Sequence, residues 1–408
     1  MVYEQIEGRL TALQDADTRE RYARLLGLHR QHFRAGPLYA LSAPGRAEII
    51  GNHTDHNRGR VLAAAINLDT AAVVSPREDL RVRLFSEGYG LIELGLDNLK
   101  PGAQQAGSSA ALIAGVAEGL VKRGYSIGGF DAVVGSQVLS GSGLSSSAAF
   151  EVLVCYIFDV LFNGSSVDFI SRAQIGQYAE NVHFGKPSGL MDQMASSSGG
   201  LVAIDFREAI PQVDTIRFSY REVGYAMVIV NTGGSHDNLT EAYAAIPREM
   251  KAAAAVLGGE TLSEVPFETF TDNLRRVREE AGDRALLRAL HFYQENRRVA
   301  QAADALREGN LPAFFKAVNE SGLSSETQLQ NIHVNEKEQP MALALALARE
   351  TLRGQGACRV HGGGFAGTTL NFVPLDMLEG FTHAMEALFG PGCCHSLDVR
   401  LEGPARIF

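Results

Sequence analysis

The chain has 408 residues, of which 45% are hydrophobic and 21% charged, and its formal net charge at pH 7 is -10. A chain of this length and composition buries a sizeable core in one large domain or two, as a globular enzyme does. The acidic balance argues against a nucleic-acid partner, which needs clustered lysine and arginine. It does not exclude an anionic nucleotide, because local backbone N–H groups bind phosphate at any global charge.

Cysteine usage and hydropathy predict a cytoplasmic protein without a membrane partner. The chain contains four cysteines, Cys155, Cys358, Cys393 and Cys394. None of them forms a Cys-x-x-Cys pair, which favours reduced thiols. The N-terminus is charged and has no apolar segment of the signal type. The most apolar segments, 150–162 and 341–348, are too short or too interrupted for the roughly 20 residues that a membrane span needs.

The first half of the chain mixes helices with strands. Apolar positions at helical spacing predict an amphipathic helix within residues 1–35. Half-buried, β-rich runs predict strands at 62–66, 70–74 and 80–85. Turn and periodicity signals then predict a helix at 108–123, a strand at 130–138, a Gly/Ser loop and a helix at 148–162.

The second half is richer in long helical segments. Two strands are expected between residues 206 and 232, and helices at 237–257, 283–308, 310–320, 337–353 and 375–389. A glycine-rich turn at 362–367 separates two short strands, 358–360 and 368–373. Because strands and helices mix without regular βαβ alternation, the order favours an α+β protein of two closely packed lobes.

A glycine–serine loop follows the strand at 130–138, namely Ser140-Gly-Ser-Gly-Leu-Ser-Ser-Ser-Ala148. Glycines let the backbone approach a charged ligand, and the helix that follows points free N–H groups at it. The loop therefore predicts a phosphate cradle, with a structural strand-to-helix turn as the alternative. The segment 185–188 resembles the end of a Walker loop, but no glycine stands five residues earlier.

A second polar segment is Ser42-Ala-Pro-Gly-Arg-Ala-Glu-Ile-Ile-Gly-Asn-His-Thr-Asp-His-Asn57. It concentrates a guanidinium and several hydrogen-bonding side chains near one turn. A sugar needs such a set, because each buried hydroxyl without a partner costs about 1–3 kcal/mol. A metal site formed by His53, Asp55 and His56, or a structural surface loop, are the alternatives.

These segments resemble motifs of the GHMP kinases, which comprise galacto-, homoserine, mevalonate and phosphomevalonate kinases. The string Gly-Leu-Ser-Ser-Ser-Ala-Ala is similar to their phosphate loop. His361-Gly-Gly-Gly-Phe-Ala-Gly367 is similar to their third motif, a turn that packs near that loop. Segment 42–57 resembles the galactokinase signature, in which Pro-Gly-Arg precedes Ile-Gly-Glu-His-Thr-Asp-Tyr-Asn. Segments 178–180, 189–193 and 231–243 also match galactokinases, so the resemblance spans roughly residues 37–375.

The resemblance implies a fold and an activity. The fold would be α+β with two lobes, residues 1–205 with a mixed sheet and residues 206–408 with an antiparallel sheet, and the active site would lie in the cleft between them. The activity would be that of an ATP-dependent sugar 1-kinase, which converts galactose to galactose 1-phosphate with Mg²⁺ as cofactor. The sugar and ATP would be the partners of a monomer or weak homodimer.

The resemblance also implies a role for each matched residue. Asp192 would act on the anomeric hydroxyl as general base or electrostatic orienter, and Arg46 would stabilise that carboxylate and the transferred phosphoryl group. Ser147 and Glu180 would hold Mg²⁺. The sugar-binding residues would be Arg46, Asn52, His53, Asp55, Gly189, Asp192 and Tyr243. The nucleotide-binding residues would be Ser140, Gly141, Ser142, Gly143, Leu144, Ser145, Ser146, Ser147 and Ala148.

Asn52 stands where galactokinases carry a glutamate that helps to bind the far end of the sugar. An amide still accepts a hydrogen bond, but it also donates and carries no charge, so it would not repel a uronic acid. Galactose is the expected substrate, and galacturonate, N-acetylgalactosamine and L-arabinose are alternatives. The other residues that depart from the family's pattern are His56, Ser235, His361 and Ala366.

Two further functions remain open at this point. One is a non-catalytic galactose and ATP sensor, against which the complete phosphate loop and the Asp192–Arg46 pair argue. The other is a GHMP kinase for a non-sugar substrate such as mevalonate or homoserine. The segment 51–57 argues against that kinase, because it matches the sugar signature.

Overall fold

The computed structural model describes residues 10, 15–34, 36–138, 143–233, 240–333, 335, 337–365 and 367–408. They form an α+β fold with two β-sheets. The helices are α1 (Ala16–His32), α2 (Ser109–Lys122), α3 (Ser146–Phe162), α4 (Phe169–Tyr178), α5 (Met191–Ser198), α6 (Thr240–Val256), α7 (Phe267–Asp272), α8 (Leu274–Ala281), α9 (Asp283–Arg307), α10 (Leu311–Ser324), α11 (Pro340–Leu352) and α12 (Leu378–Phe389). The strands are β1 (Tyr39–Ile50), β2 (Arg60–Pro76), β3 (Arg81–Ser86), β4 (Gly90–Gly95), β5 (Phe130–Ser136), β6 (Leu201–Asp205), β7 (Gln212–Ile216), β8 (Tyr225–Asn231), β9 (Ala357–His361), β10 (Thr368–Pro374), β11 (Cys394–Leu397) and β12 (Ala405–Arg406).

The first sheet is mixed, as the sequence predicts for the N-terminal part. Six of its eight strands follow the order β12-β1-β2-β5-β3-β4, while β6 pairs with β2 and β7 pairs with β6. Strands β3 and β5 run parallel, and the other described pairs are antiparallel. Strand β12 pairs with β1 at Leu41 and Arg406, so the last residues of the chain return to the first sheet.

The second sheet has four antiparallel strands in the order β11-β8-β10-β9. Helices α11 and α12 pack on one of its faces through buried residues such as Leu345 and Phe381. Helices α9 and α10 join the two sheets, because one buried cluster contains Ile49 of β1, Phe314 of α10 and Phe372 of β10. This shared core places the ends of β1 and β9 side by side.

Helix α2 packs closely against the turn that follows α4. The helix begins after Ser108, whose hydroxyl accepts a hydrogen bond from the Ala111 N–H over 3.2 Å, which is a usual N-cap. A β-carbon placed at Gly115 would lie 2.7 Å from the Cα of Ala179. Glycine at 115 therefore lets α2 contact the π-helical turn Ala179–Phe184 that follows α4.

Two details of the predicted first half are wrong. Segments 62–66 and 70–74 belong to the single long strand β2, whose first part pairs with β6 and whose last part pairs with β5. The polar residues between them mark this change of partner and not a break. Pro44, Gly45 and Arg46 do not form a turn either, because they lie within β1 at an irregularity in its pairing with β2.

The structure tests two expectations, that the thiols are reduced and that the apolar segments do not span a membrane. All four cysteines are free. Within the described residues, none of the helices combines the length and the apolar character that crossing a membrane requires.

Candidate active site

The predicted phosphate loop leads into α3, whose N-terminus faces the candidate site. Gly143 (φ 71°) and Ser145 (φ 56°) both have left-handed backbone conformations. Glycine adopts this conformation freely, whereas for serine it is strained, and such strain is common at functional sites. Ser146, Ser147 and Ala148 form the first turn of α3, where N–H groups lack partners within the helix and attract phosphate. The predicted residues Ser140, Gly141 and Ser142 lie outside the described part of the chain.

Arg46 connects this loop to Asp192. Its Nε donates to Asp192 Oδ1 over 2.6 Å, and its Nη1 donates to the carbonyl of Gly143. The backbone N–H of Arg46 donates to the carbonyl of Leu144 over 3.2 Å. The other oxygen of Asp192, Oδ2, accepts a hydrogen bond from the Ser145 hydroxyl. A strand, a loop and the first turn of α5 therefore meet at one carboxylate.

Asp192 is ionised in this setting. Burial alone would raise the pKa of its carboxyl group, but the charge of Arg46 and the hydrogen bond from Ser145 outweigh burial and hold the pKa below its usual value. The side chain of Asp192 is 29% exposed, whereas that of Arg46 is 6% exposed. A deprotonated carboxylate is thus open to a ligand, with its counter-charge behind it.

A second carboxylate, Glu180, lies beside the start of α3. Its Oε1 accepts hydrogen bonds from Ser147 Oγ over 3.0 Å and from Lys186 Nζ over 2.9 Å. Its Oε2 accepts a hydrogen bond from Gln193 Nε2 over 2.9 Å. The π-helical turn Ala179–Phe184 buries Glu180. The two residues predicted to hold a metal are therefore within hydrogen-bond distance of each other.

One pocket contains all seven predicted sugar-binding residues. These are Arg46, Asn52, His53, Asp55, Gly189, Asp192 and Tyr243. Glu48, His56, Lys186 and the third-motif residues Gly362 and Gly363 also line it. The structure thus brings together β1 and the turn after it, the segment 186–192, the first turn of α6 and the turn between β9 and β10. Which of these residues contact a ligand stays a prediction.

The third motif closes one side of the pocket. The carbonyl of Gly363 lies 2.9 Å from His53 Nε2, and a carbonyl only accepts, so Nε2 carries the proton and Nδ1 is the acceptor. Burial lowers the pKa of His53 to about 3, so the ring is neutral. The Tyr243 ring packs edge-on against His53, with centroids 5.1 Å apart. A β-carbon at Gly363 would lie 2.3 Å from Tyr243 Cε2, so only glycine leaves room for this ring.

His53, Asp55 and His56 do not come together as metal ligands. The two imidazole rings are stacked with centroids 5.7 Å apart, and Asp55 Oδ1 accepts a hydrogen bond from the backbone N–H of His56 over 2.9 Å. In the part of the chain that the structure describes, no group of three or more His, Cys, Asp or Glu side chains is arranged around a common point. The geometry therefore favours a hydrogen-bonding role for this segment.

Sequence reasoning missed three polar residues of the site. Lys186, which the sequence associates only with a string that resembles a Walker loop, forms an ion pair with Glu180 and lines the pocket. Gln193 donates to Glu180 and also to the buried Glu151, over 3.0 Å. Glu48 lines the pocket two residues after Arg46. Its position two residues after Arg46 on one strand, where alternate side chains share a face, was the available signal.

Comparisons with known proteins find similar sequences and structures over most of the chain. The galactokinase galactose-binding signature matches residues 27–76, and the GHMP kinases N-terminal domain matches residues 111–200. Galactokinase from Exiguobacterium sibiricum is 31% identical over 89% of this chain and 92% of its own, and human galactokinase is 34% identical over 89% and 91%. The crystal structure of Lactococcus lactis galactokinase complexed with galactose superimposes with a TM-score of 0.81 at 25% identity, covering 94% of this chain and 99% of that one.

The fold and the site therefore define a phosphotransferase of the GHMP kinase class, with the predicted α+β architecture of a mixed and an antiparallel sheet. Within that class, the chain belongs to the galactokinase family. The prediction of an enzyme is thereby confirmed.

Proposed function

We propose that this protein transfers the γ-phosphoryl group of ATP to the anomeric hydroxyl of galactose, giving galactose 1-phosphate and ADP. The observation that carries the proposal is the Arg46–Asp192 pair, which joins the phosphate loop to the pocket that holds every predicted sugar-binding residue. A hydroxyl bound beside Asp192 would lie between that carboxylate and a phosphate at the N-terminus of α3. Similarity to galactokinases over most of the chain supports galactose as the acceptor.

The residues of the chain account for each part of this reaction. The sugar oxygen forms a bond to the γ-phosphorus, and the bond from that phosphorus to the bridging oxygen breaks, so ADP leaves with the electron pair. The hydroxyl proton passes to Asp192. Because the pKa of Asp192 is lowered, its carboxylate is ionised before transfer and is able both to orient the hydroxyl and to accept its proton. Arg46 and the N–H groups of α3 stabilise the charge on the moving phosphoryl group.

The donor set beside α3 fits Mg²⁺. Ser147 and Glu180 offer a hydroxyl and a carboxylate, which are hard oxygen ligands of the kind that Mg²⁺ prefers. Phosphate oxygens and water would supply the other ligands of the ion. Lys186, which pairs with Glu180, has a side chain that is 58% exposed and is therefore able to move away. When bound, Mg²⁺ would neutralise phosphate charge during transfer.

We also propose that the site lies between two domains, residues 1–205 and 206–408. The pocket takes Arg46 and Asp192 from the first range, and Tyr243 and Gly363 from the second, which supports this division. Strands β7 and β12 belong to the second range but pair within the first sheet, so the two domains would share strands.

A coupled ADP-release assay tests the proposed function. We expect ATP-dependent turnover with galactose and little turnover with galacturonate, N-acetylgalactosamine, L-arabinose or mevalonate. Turnover with mevalonate but with no sugar would refute the proposal. Tight galactose binding by calorimetry without turnover on any sugar would return the sensor to consideration.

Gly189 gives a test of the sugar side alone. A β-carbon at this position would lie 1.7 Å from Asp55 Oδ2, so any side chain would displace the Asp55 carboxylate from the pocket. Because a lost hydrogen bond to a charged group is worth about 1.5–3 kcal/mol, we expect Gly189→Ala to raise the KM for galactose by about tenfold or more while the KM for ATP stays unchanged. Gly380→Ala on α12 is the matched control, since nothing lies within 4 Å of its β-carbon. Equal effects of the two substitutions would contradict this role of Asp55.

A further inference from the structure

A buried carboxylate remains in the sugar pocket next to Asn52. Glu48 is 3% exposed and lines the pocket. Its Oε1 accepts hydrogen bonds from Asn52 Nδ2 over 3.0 Å and from Arg359 Nη2 over 3.1 Å. No side chain or backbone group of the described residues donates to Oε2. One oxygen of this carboxylate is therefore anchored by the protein, and the other is left for a ligand.

The amide of Asn52, by contrast, is fully used within the protein. Its Nδ2 donates to Glu48 Oε1 and, over 2.7 Å, to the carbonyl of Gly362. Its Oδ1 accepts hydrogen bonds from Asn331 Nδ2 over 2.7 Å and from Ser325 Oγ over 3.4 Å. A primary amide has two donors and two acceptor positions, so all four are occupied. These partners also fix which atom of the amide is the nitrogen.

Arg359 is the buried counter-charge of Glu48. The guanidinium of Arg359 is fully buried behind the pocket, where it also donates to the carbonyl of Ile49 over 3.0 Å. A buried guanidinium needs a counter-charge, because an uncompensated charge in the interior is costly. Burial raises the pKa of Glu48 above its ordinary value, and the charge of Arg359 limits that rise. The ion pair thus presents a fixed negative oxygen to the pocket.

We propose that Glu48 is the specificity-determining carboxylate of the pocket and that Asn52 is a positioning residue that acts through it. The hydroxyl that is phosphorylated lies beside Asp192. Glu48 Oε2 accepts a hydrogen bond from a different hydroxyl of the same sugar. The acceptor is then a neutral sugar, since a uronic acid would bring its carboxylate against Glu48 and Asp55. This inference rests on the proposed function and names its substrate class.

The proposal gives Asn52 a different role from the one that the sequence suggests. From the sequence, an amide at position 52 admits a uronic acid because it carries no charge. In the structure the negative charge is present four residues earlier, and the amide of Asn52 holds it in place. The pocket therefore discriminates against acidic sugars even though residue 52 is neutral.

The first test replaces Glu48 by its neutral isostere. Glu48→Gln should raise the KM for galactose by about tenfold or more, because a hydrogen bond to a charged acceptor is lost, while kcat changes by less than about threefold. The preference for galactose over galacturonate, measured as a ratio of kcat/KM values, should fall by at least about tenfold. Glu326→Gln is the matched control, since Glu326 pairs with Arg349 outside the pocket. An unchanged KM and an unchanged preference would overturn the proposal.

A double-mutant cycle tests the positioning role of Asn52. Asn52→Glu alone places two carboxylates together, and it should raise the KM for galactose. Glu48→Gln combined with Asn52→Glu restores one amide and one carboxylate in exchanged positions, so its KM should be lower than the two single effects predict. Additive effects would show that Asn52 does not act through Glu48.

A readout on wild-type protein keeps the proposal open to refutation if these variants fail to fold. Wild-type protein should prefer galactose over galacturonate by at least about 100-fold in kcat/KM, and comparable use of both sugars would overturn the proposal. Where Glu48→Gln does fold, galactose binding measured by calorimetry without nucleotide should be weaker than in the wild type, and this comparison does not depend on turnover. If wild-type protein phosphorylates no sugar, the proposed function fails, whereas the calorimetric comparison still decides the role of Glu48.

Discussion

Replacing Asp192 by asparagine is expected to lower kcat by about 10³-fold or more, since the variant loses both the orienting charge and the proton acceptor. Asparagine keeps the size of the side chain and one acceptor oxygen, so the contacts to Arg46 and Ser145 lose charge but not shape. The phosphate loop and α3 are untouched. Nucleotide affinity, measured by calorimetry with ATP, should therefore change by less than about threefold.

A matched control separates loss of the site from loss of an ion pair. Asp205 is also a carboxylate paired with an arginine, since Arg60 Nε lies 2.9 Å from its Oδ2, and it lies outside the pocket. Asp205→Asn should retain wild-type kcat. If Asp192→Asn keeps more than about a tenth of the activity, the carboxylate neither orients nor deprotonates the hydroxyl, and the mechanism proposed here is wrong.

The elements that could be predicted from sequence are those whose signal is local. The helix that begins at Ser146 follows a string of glycines and serines, and this order predicts a phosphate cradle, with a structural turn as the alternative. The segments 42–57 and 189–193 could be assigned to the same site from the sequence because each resembles a galactokinase motif. Composition alone would not have joined Arg46 to Asp192, which lie 146 residues apart.

The remaining parts of the site depend on side-chain direction and on packing between distant segments. Glu180 reaches Ser147 because a π-helical turn rotates it inward, and no periodicity in the sequence predicts such a turn. Glu48 and Arg359 are separated by 311 residues and meet through the packing of β1 beside β9. The occupied amide of Asn52 likewise follows from tertiary contacts, which explains why the sequence suggests a direct sugar ligand there.

Replacing Glu295 by leucine is expected to lower the free energy of unfolding by about 3–5 kcal/mol, the usual cost of leaving a buried charge unpaired. Glu295 is fully buried on α9, where its Oε2 accepts a hydrogen bond from Arg298 Nε over 2.7 Å. Its Oε1 accepts hydrogen bonds from the Gly51 N–H over 3.0 Å and from Ser321 Oγ over 2.5 Å. The substitution would leave all three donors without their acceptor and would destabilise the turn that carries the sugar signature. Urea denaturation provides the measurement.

The double variant Glu295→Leu with Arg298→Leu should recover much of that stability, because it removes both charges, whereas Glu279→Gln in an exposed ion pair should have almost no effect.

Acid provides an independent check. Burial would raise the pKa of Glu295, but the charges of His291, Arg298 and Arg359, in that order of size, lower it to about 2 from an ordinary value of 4.5. A carboxyl with a depressed pKa stabilises the folded state above pH 4.5, and this contribution disappears as the pH falls toward 2. The stability difference between wild type and Glu295→Gln should therefore shrink across that range. A difference that stays constant would mean that Glu295 is not the charged group that fixes this turn.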